Sequence, residues 1–156
     1  MSSCSKNFGL YRERTGALTL ICETTEATAA ATTLLAAAAR ANYSMPPDHG
    51  AAIVQTIMES PELSSDWDAE LKEIRNRINS LRTLLVTRLQ SAGVDRDFSF
   101  IKQEKGMFSF LGVNKDQIQT LIQQYSIYLL GSSRINIASL NDDNIDYLVE
   151  SIKAVL

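Results

Sequence analysis

Histidine occurs once in this chain, at position 49, so a multi-histidine metal centre is excluded and no metal is expected. Cysteine occurs twice, at Cys4 and Cys22, which is too few for a disulfide framework. Both fit a reducing compartment and read as small buried hydrophobes. There is no excess of one charge. Fifteen Lys and Arg against 18 Asp and Glu leave a net charge of -3, so neither a nucleic acid nor a membrane surface is an expected partner. Long hydrophobic runs are missing too. The longest low-charge stretch, Ala27 to Ala39, is Ala/Thr-rich and too short to span a bilayer. No basic-then-apolar leader is visible, and the protein is expected to be cytoplasmic.

What is present suits a folded protein: 156 residues, 45% apolar and 21% charged, with room for a real core. Residues 1–16 are polar, contain glycine and lack periodicity, which predicts a loop. Ala17 to Cys22 is a short apolar run and predicts a buried strand. Thr25 to Arg40 is nearly half alanine and predicts a helix capped by Thr24 or Thr25. Pro46-Pro47 opens another helix, to about Glu59, and Pro61 with Ser64-Ser65 closes it. A long helix is expected from Asp66. Its stripe is Trp67, Leu71, Ile74, Ile78, Leu81, Leu85 and Leu89, and its stop is Gly93.

Strands are expected at Phe98–Lys102 and Met107–Leu111 around a Lys105-Gly106 turn. Asn114-x-x-Gln117 has the form of a capping box before a helix with Ile118, Leu121, Ile122 and Tyr125 on one face. Ile127–Leu130 and Arg134–Ala138 predict short strands. Asn141 or Asp142 caps a last helix with Ile145, Leu148, Val149 and Ile152 inward. Residues 66–156 thus read as an α+β unit. Residues 1–65 offer one strand without sheet partners, and so read as a piece of a larger domain.

Three blocks carry chemistry. Ser3-Cys4-Ser5-Lys6-Asn7-Phe8-Gly9-Leu10-Tyr11-x-Glu13-Arg14-x-Gly16 combines an amine, hydroxyls and a guanidinium. Lysine can form a covalent link to a carbonyl carbon and afterwards carry a proton. Hydroxyls with a guanidinium suit a phosphate dianion. The block is similar to the cofactor-lysine segment of the aspartate and aromatic aminotransferases, class I enzymes that use pyridoxal 5'-phosphate (PLP). The resemblance makes Lys6 the catalytic, cofactor-bearing lysine, and Ser3 and Arg14 the phosphate ligands. Without it, Lys6 would be a solvated loop lysine. Ser3-x-x-Lys6 also fits the pattern of serine acyl enzymes, but that pattern is short and no K-T-G or S-D-N accompanies it.

The second block, Arg40-Ala41-Asn42-Tyr43-Ser44-x-Pro46-Pro47-x-x-Gly50, resembles the segment of that family that reaches into a partner subunit's site. It implies that Arg40 meets a distal substrate carboxylate and Ser44 lies near the phosphate. On the residues alone, Arg40 is a cation at a helix C-terminus and His49 a helix-start surface residue. The third block, Ser132-Ser133-Arg134-Ile135-Asn136-Ile137-Ala138, resembles the family's S-G-R-[IM]-N-[VI]-[AS]-G-L strand. It implies that Arg134 takes the substrate α-carboxylate. Alternation puts Arg134 and Asn136 on the face opposite Ile135 and Ile137. Ser133 and Ser139 replace the usual glycines, which bears on local backbone geometry. Met107-Phe108-Ser109-Phe110 resembles the M-F-S-[FY] strand and implies Phe108 near the substrate; otherwise it is a core aromatic.

The resemblance implies an α/β family fold of which this chain is a part. Residues 1–65 would be a remnant of the large PLP-binding domain, and 66–156 the α+β C-terminal small domain. It also implies transfer of an amino group between an amino acid, aspartate or aromatic, and a 2-oxo acid such as 2-oxoglutarate, in a homodimer. The family's pyridine-nitrogen aspartate, phenol-oxygen tyrosine, ring-stacking aromatic and further phosphate donors have no counterpart here. The alternative is therefore a truncated, non-catalytic fold unit, or a segment that needs an N-terminal half supplied separately.

Overall fold

The computed structural model describes all residues, 1–156, as two compact units, Met1–Leu71 and Lys72–Leu156. The division falls inside one helix.

The first unit opens with a two-strand antiparallel ladder, β1 (Ser2–Ser3) and β2 (Gly16–Ala17), with Ser2 opposite Ala17 and Ser3 opposite Gly16. Between them lies a single helical turn, α1 (Cys4–Asn7), where a plain loop is expected. Gly16 has no substitute here, because a Cβ would overlap the Ser2 carbonyl oxygen. The expected buried strand at Ala17–Cys22 does not form beyond Ala17. Leu18, Leu20 and Ile21 are exposed, since no further strand offers their backbone a partner. Cys4 and Cys22 are free and half-buried rather than buried.

Helix α2 (Thr25–Tyr43) follows as the alanine content predicts, with the Thr24 side chain accepting from Ala27 N–H. It buries none of its residues within the unit. Helix α3 (His49–Glu59) starts after the Pro46-Pro47 pair rather than on it. The long helix α4 (Pro61–Ser91) begins earlier than the expected Asp66. Pro61 initiates rather than ends a helix, because its fixed φ and missing N–H suit a first turn. Ser60 Oγ caps that turn by accepting from Leu63 N–H.

The second unit holds the core. Leu81, Leu85, Val86 and Leu89 of α4 pack with Phe98, Ile101, Ile118, Leu121 and the inward face of α6. Ile74 of the expected stripe is exposed and Ile78 only half-buried. Gly93 ends the helix region with a positive φ of 74°. Residues 98–102 form a 3-10 turn (Ser99–Lys102), not a strand. Phe98 and Ile101 are both buried, a spacing of three rather than two. The Asp97 carboxylate accepts from the Ser99 N–H and hydroxyl, which starts the turn and holds its pKa below the usual carboxylate value.

Strand β3 (Phe108–Phe110) pairs antiparallel with β4 (Arg134–Asn136): Phe108 faces Asn136, and Phe110 faces Arg134. Between them α5 (Lys115–Tyr125) carries the capping box of Asn114 and Gln117 in full. Ile127–Leu130 forms no strand. A 3-10 turn (Ile137–Ser139) replaces the expected end of β4. Helix α6 (Ile145–Val155) buries Ile145, Leu148, Val149 and Ile152 as its period predicts, and Asn144 is its N-cap residue.

Ser133, where the resemblance leads one to expect glycine, adopts a left-handed φ of 66° while 3% exposed. Its hydroxyl accepts from the Val113 N–H at 3.0 Å, and its carbonyl accepts from the Leu111 N–H at 3.0 Å. Those bonds hold a conformation that costs a non-glycine residue about 1–2 kcal/mol. Ser133→Ala keeps the strain and leaves the Val113 N–H dry, at about 1–3 kcal/mol. Ser133→Gly loses the same bond but relieves the strain. Urea unfolding should therefore rank wild type and Gly close together, with Ala clearly lower; equal losses for Ala and Gly would contradict this account.

Candidate functional site

In the first unit the ladder of Ser3 against Gly16 closes residues 3–16 into one loop. Cys4 N–H donates to the Thr15 carbonyl at 2.9 Å, reinforcing that closure. Ser3 caps α1: its Oγ accepts from the Ser5 N–H and donates to Ser5 Oγ at 3.0 Å. Lys6 is exposed on the turn, with Nζ 4.2 Å from the centroid of the Tyr11 ring. Arg14, at φ 53°, donates from Nη1 to the Tyr11 carbonyl at 3.0 Å. One loop thus gathers Ser3, Lys6 and Arg14, with Tyr11 touching both cations.

Two neighbours hold the loop. Trp67 of α4 stacks on Phe8 at 4.7 Å between ring centroids and donates from Nε1 to the Asn7 carbonyl at 2.7 Å. The first turn of α3 meets the other limb. His49 Nδ1 lies 3.0 Å from Glu13 Oε2, and a Cβ on the buried Gly50 would overlap Thr15 Oγ1. His49 is thus a helix-start surface residue, as the sequence suggests, but one with a partner. Sequence periodicity assigns Trp67 only to an apolar stripe. Its indole N–H is the signal that it could also hold a carbonyl.

Arg40 and Ser44 sit at the C-terminal end of α2. Ser44, at φ 62°, donates its N–H to the Arg40 carbonyl at 3.1 Å. Both side chains are exposed, and no hydrogen bond or ion pair joins either to the lysine loop.

In the second unit Arg134 and Phe108 come together. They are diagonal neighbours across the β3–β4 ladder, and the Arg134 guanidinium carbon lies 4.4 Å from the Phe108 ring centroid. Arg134 and Asn136 face outward and Ile135 is 6% exposed, so the alternation holds. The guanidinium makes no ion pair with any carboxylate of the chain. It borders a cleft of about 500 Å³ walled by Ile127, Leu129, Leu140, Tyr147 and Leu148. A charged fork beside an apolar hollow can hold a small organic carboxylate in a bidentate pair.

Sequence periodicity misses Arg82. It is 1% exposed in α4 and donates to the carbonyls of Ile101 at 3.1 Å, Gly106 at 2.7 Å and Phe108 at 2.9 Å. Its Nη1 also donates to Ser109 Oγ, and to Glu104 Oε2 at 3.4 Å. The available signal was a charge three and four residues before Leu85 and Val86, on the apolar stripe itself.

Ser3, Lys6 and Arg14 supply a hydroxyl, an amine and a guanidinium on one loop, and this donor set fits the phosphate and aldehyde ends of PLP. No helix of the chain is long and apolar enough to cross a membrane, and no cluster of His, Cys, Asp and Glu suits a metal ion.

The chain is similar to known proteins over nearly its whole length. The chain is 48% identical over 155 residues to the aspartate aminotransferase of Salmonella typhi, covering 99% of this chain and 39% of that protein. It is 45% identical over 152 residues to the aromatic-amino-acid aminotransferase of Paracoccus denitrificans, covering 97% of this chain and 38% of that one. A crystal structure of the Burkholderia pseudomallei aromatic-amino-acid aminotransferase, covalently bound to pyridoxal phosphate, superposes with a TM-score of 0.86 at 44% identity. It covers 98% of this chain and 38% of that one. The chain therefore spans about 39% of the length of the relatives it matches. The family model for aminotransferase class I and II matches residues 1–152, and the chain belongs to that family.

Proposed function

We propose that this chain is part of a PLP-dependent transaminase that moves an amino group between an amino acid, aspartate or aromatic, and a 2-oxo acid such as 2-oxoglutarate. The observation that carries the reading is the family match from residue 1 to 152, which takes in Lys6 and Arg134 together. In this reading residues 1–65 belong to the large PLP-binding domain and 66–156 to the α+β small domain. The complete protein works as a homodimer in the cytoplasm.

PLP, when bound, supplies an aldehyde carbon and an electron sink. The residues do the rest. Lys6 would hold the cofactor through its amine, and the same amine would move a proton to and from the substrate α-carbon. Ser3 Oγ and the Arg14 guanidinium take the phosphate, and Ser44 approaches it from a second copy. Arg134 pairs with the α-carboxylate and Phe108 walls that site. Arg40 takes the distal carboxylate of a dicarboxylic substrate.

A second reading has a specific observation behind it. Leu18, Leu20 and Ile21 are exposed and α2 buries no residue, which suits a segment that must pack against an N-terminal part to become active. Otherwise it is a non-catalytic fold unit.

Titration of the purified chain with PLP, then borohydride reduction and peptide mapping, separates these readings. Label on Lys6, lost in Lys6→Ala, is the expected result. Label scattered over other lysines would remove Lys6 from its role, and no label would favour the second reading. In any assembly that binds cofactor, Arg134→Lys should weaken amino-acid binding about 10- to 100-fold, the scale of hydrogen bonds to a charged group, and leave PLP affinity nearly unchanged. Equal losses for both ligands would count against a substrate role.

A further inference from the structure

We infer that Arg82 is the positioning residue of the carboxylate site, acting through Phe108 on Arg134. The substrate side of this inference rests on the proposed role of Arg134.

Successive carbonyls of a strand point to opposite edges. On one edge the Met107 carbonyl accepts from Ile137 N–H at 2.8 Å, next to β4. On the other edge no strand follows. There the Gly106 and Phe108 carbonyls accept from Arg82 Nη2 at 2.7 and 2.9 Å. Nη1 adds the Ile101 carbonyl at 3.1 Å and Ser109 Oγ. One buried guanidinium thus stands in for a neighbouring strand and ties the segment 101–109 to α4.

That tie decides where the Phe108 ring lies. Gly106, at φ 80°, gives the approach to β3 a turn that the ladder does not restrain. With Arg82 bonded on both sides of Met107, the Phe108 backbone is clamped at its carbonyl, and its ring forms the surface under Arg134 at 4.4 Å. Arg134 has no carboxylate partner to orient it, so the ring face is what presents its fork to the cleft. A lysine at position 82 would keep the charge but could not serve diverging carbonyls with a planar fork.

The test uses the full 156-residue chain with 15N-labelled arginine, as wild type, Arg82→Lys and Ser109→Ala. Three readouts are taken: thermal unfolding, the proton shift of the Arg134 guanidinium, and the affinity for 3-phenylpropionate at a temperature where each variant is folded. In wild type the aromatic ring shifts the Arg134 protons upfield. Arg82→Lys should abolish that shift and weaken 3-phenylpropionate about three- to tenfold, the range of a partly exposed ring–cation contact. Ser109→Ala should move both readouts the same way by less, and it decides the matter if Arg82→Lys does not fold. Variants that lose only thermal stability, with the ring shift and affinity intact, overturn the inference. Should wild type show the ring shift and the variants lose it while no chain binds 3-phenylpropionate, the positioning stands and the carboxylate role of Arg134 falls.

Discussion

A charged group taken out of water must be given partners, and in this chain that requirement organises the second unit. Arg82 is almost wholly buried, and its two terminal nitrogens answer to three backbone carbonyls, a serine hydroxyl and a glutamate. Leaving such a charge without partners would cost several kcal/mol. The segment 101–109 is therefore bound to fold around it. Only its Nε lacks a partner, so the arrangement is nearly satisfied rather than fully so. The 3-10 turn, the turn at Gly106 and the first residues of β3 all converge on this one side chain. Phe108 and, across the ladder, Arg134 take their places from it.

The lysine loop shows a smaller version of the same logic. A loop of polar residues has little apolar surface to bury, so its shape comes from individual bonds. The Ser3–Gly16 pairing closes it, Trp67 grips its outer limb through Asn7 and Phe8, and Glu13 meets His49. The exposed Glu13–His49 pair is worth little by itself. The stacked indole, with its N–H satisfied, contributes more. Lys6 and Arg14 are thereby held on a framework, while both remain open to solvent.

Alanine content made α2 legible in advance, with Thr24 one of two candidate caps, and helical periodicity did so for α5 and α6, down to the Asn114–Gln117 capping box. Pairing misled in three places. Leu18–Cys22 and Ile127–Leu130 have strand-like composition but no partner, and a strand exists only as half of a ladder. Phe98–Lys102 has the aromatic and β-branched composition of a strand, yet Asp97 starts a tighter turn that buries Phe98 and Ile101 instead. Pro61 reads as a stop and serves as a start, because a proline is tolerated only in the first turn and does not say which side the helix lies on.

The sequence alone determined the chemistry available: an amine, hydroxyls and guanidiniums at spacings close to one family's, with too little histidine, cysteine or one-signed charge for other classes. It also determined which helices form, since capping and periodicity are local properties of neighbouring residues. Tertiary structure alone decided which side chains meet. Arg134 over Phe108, Trp67 on Asn7 and Arg82 inside the core join residues 19 to 60 positions apart. Such contacts depend on long-range packing and on burial of charge, and no local pattern along a chain encodes either one.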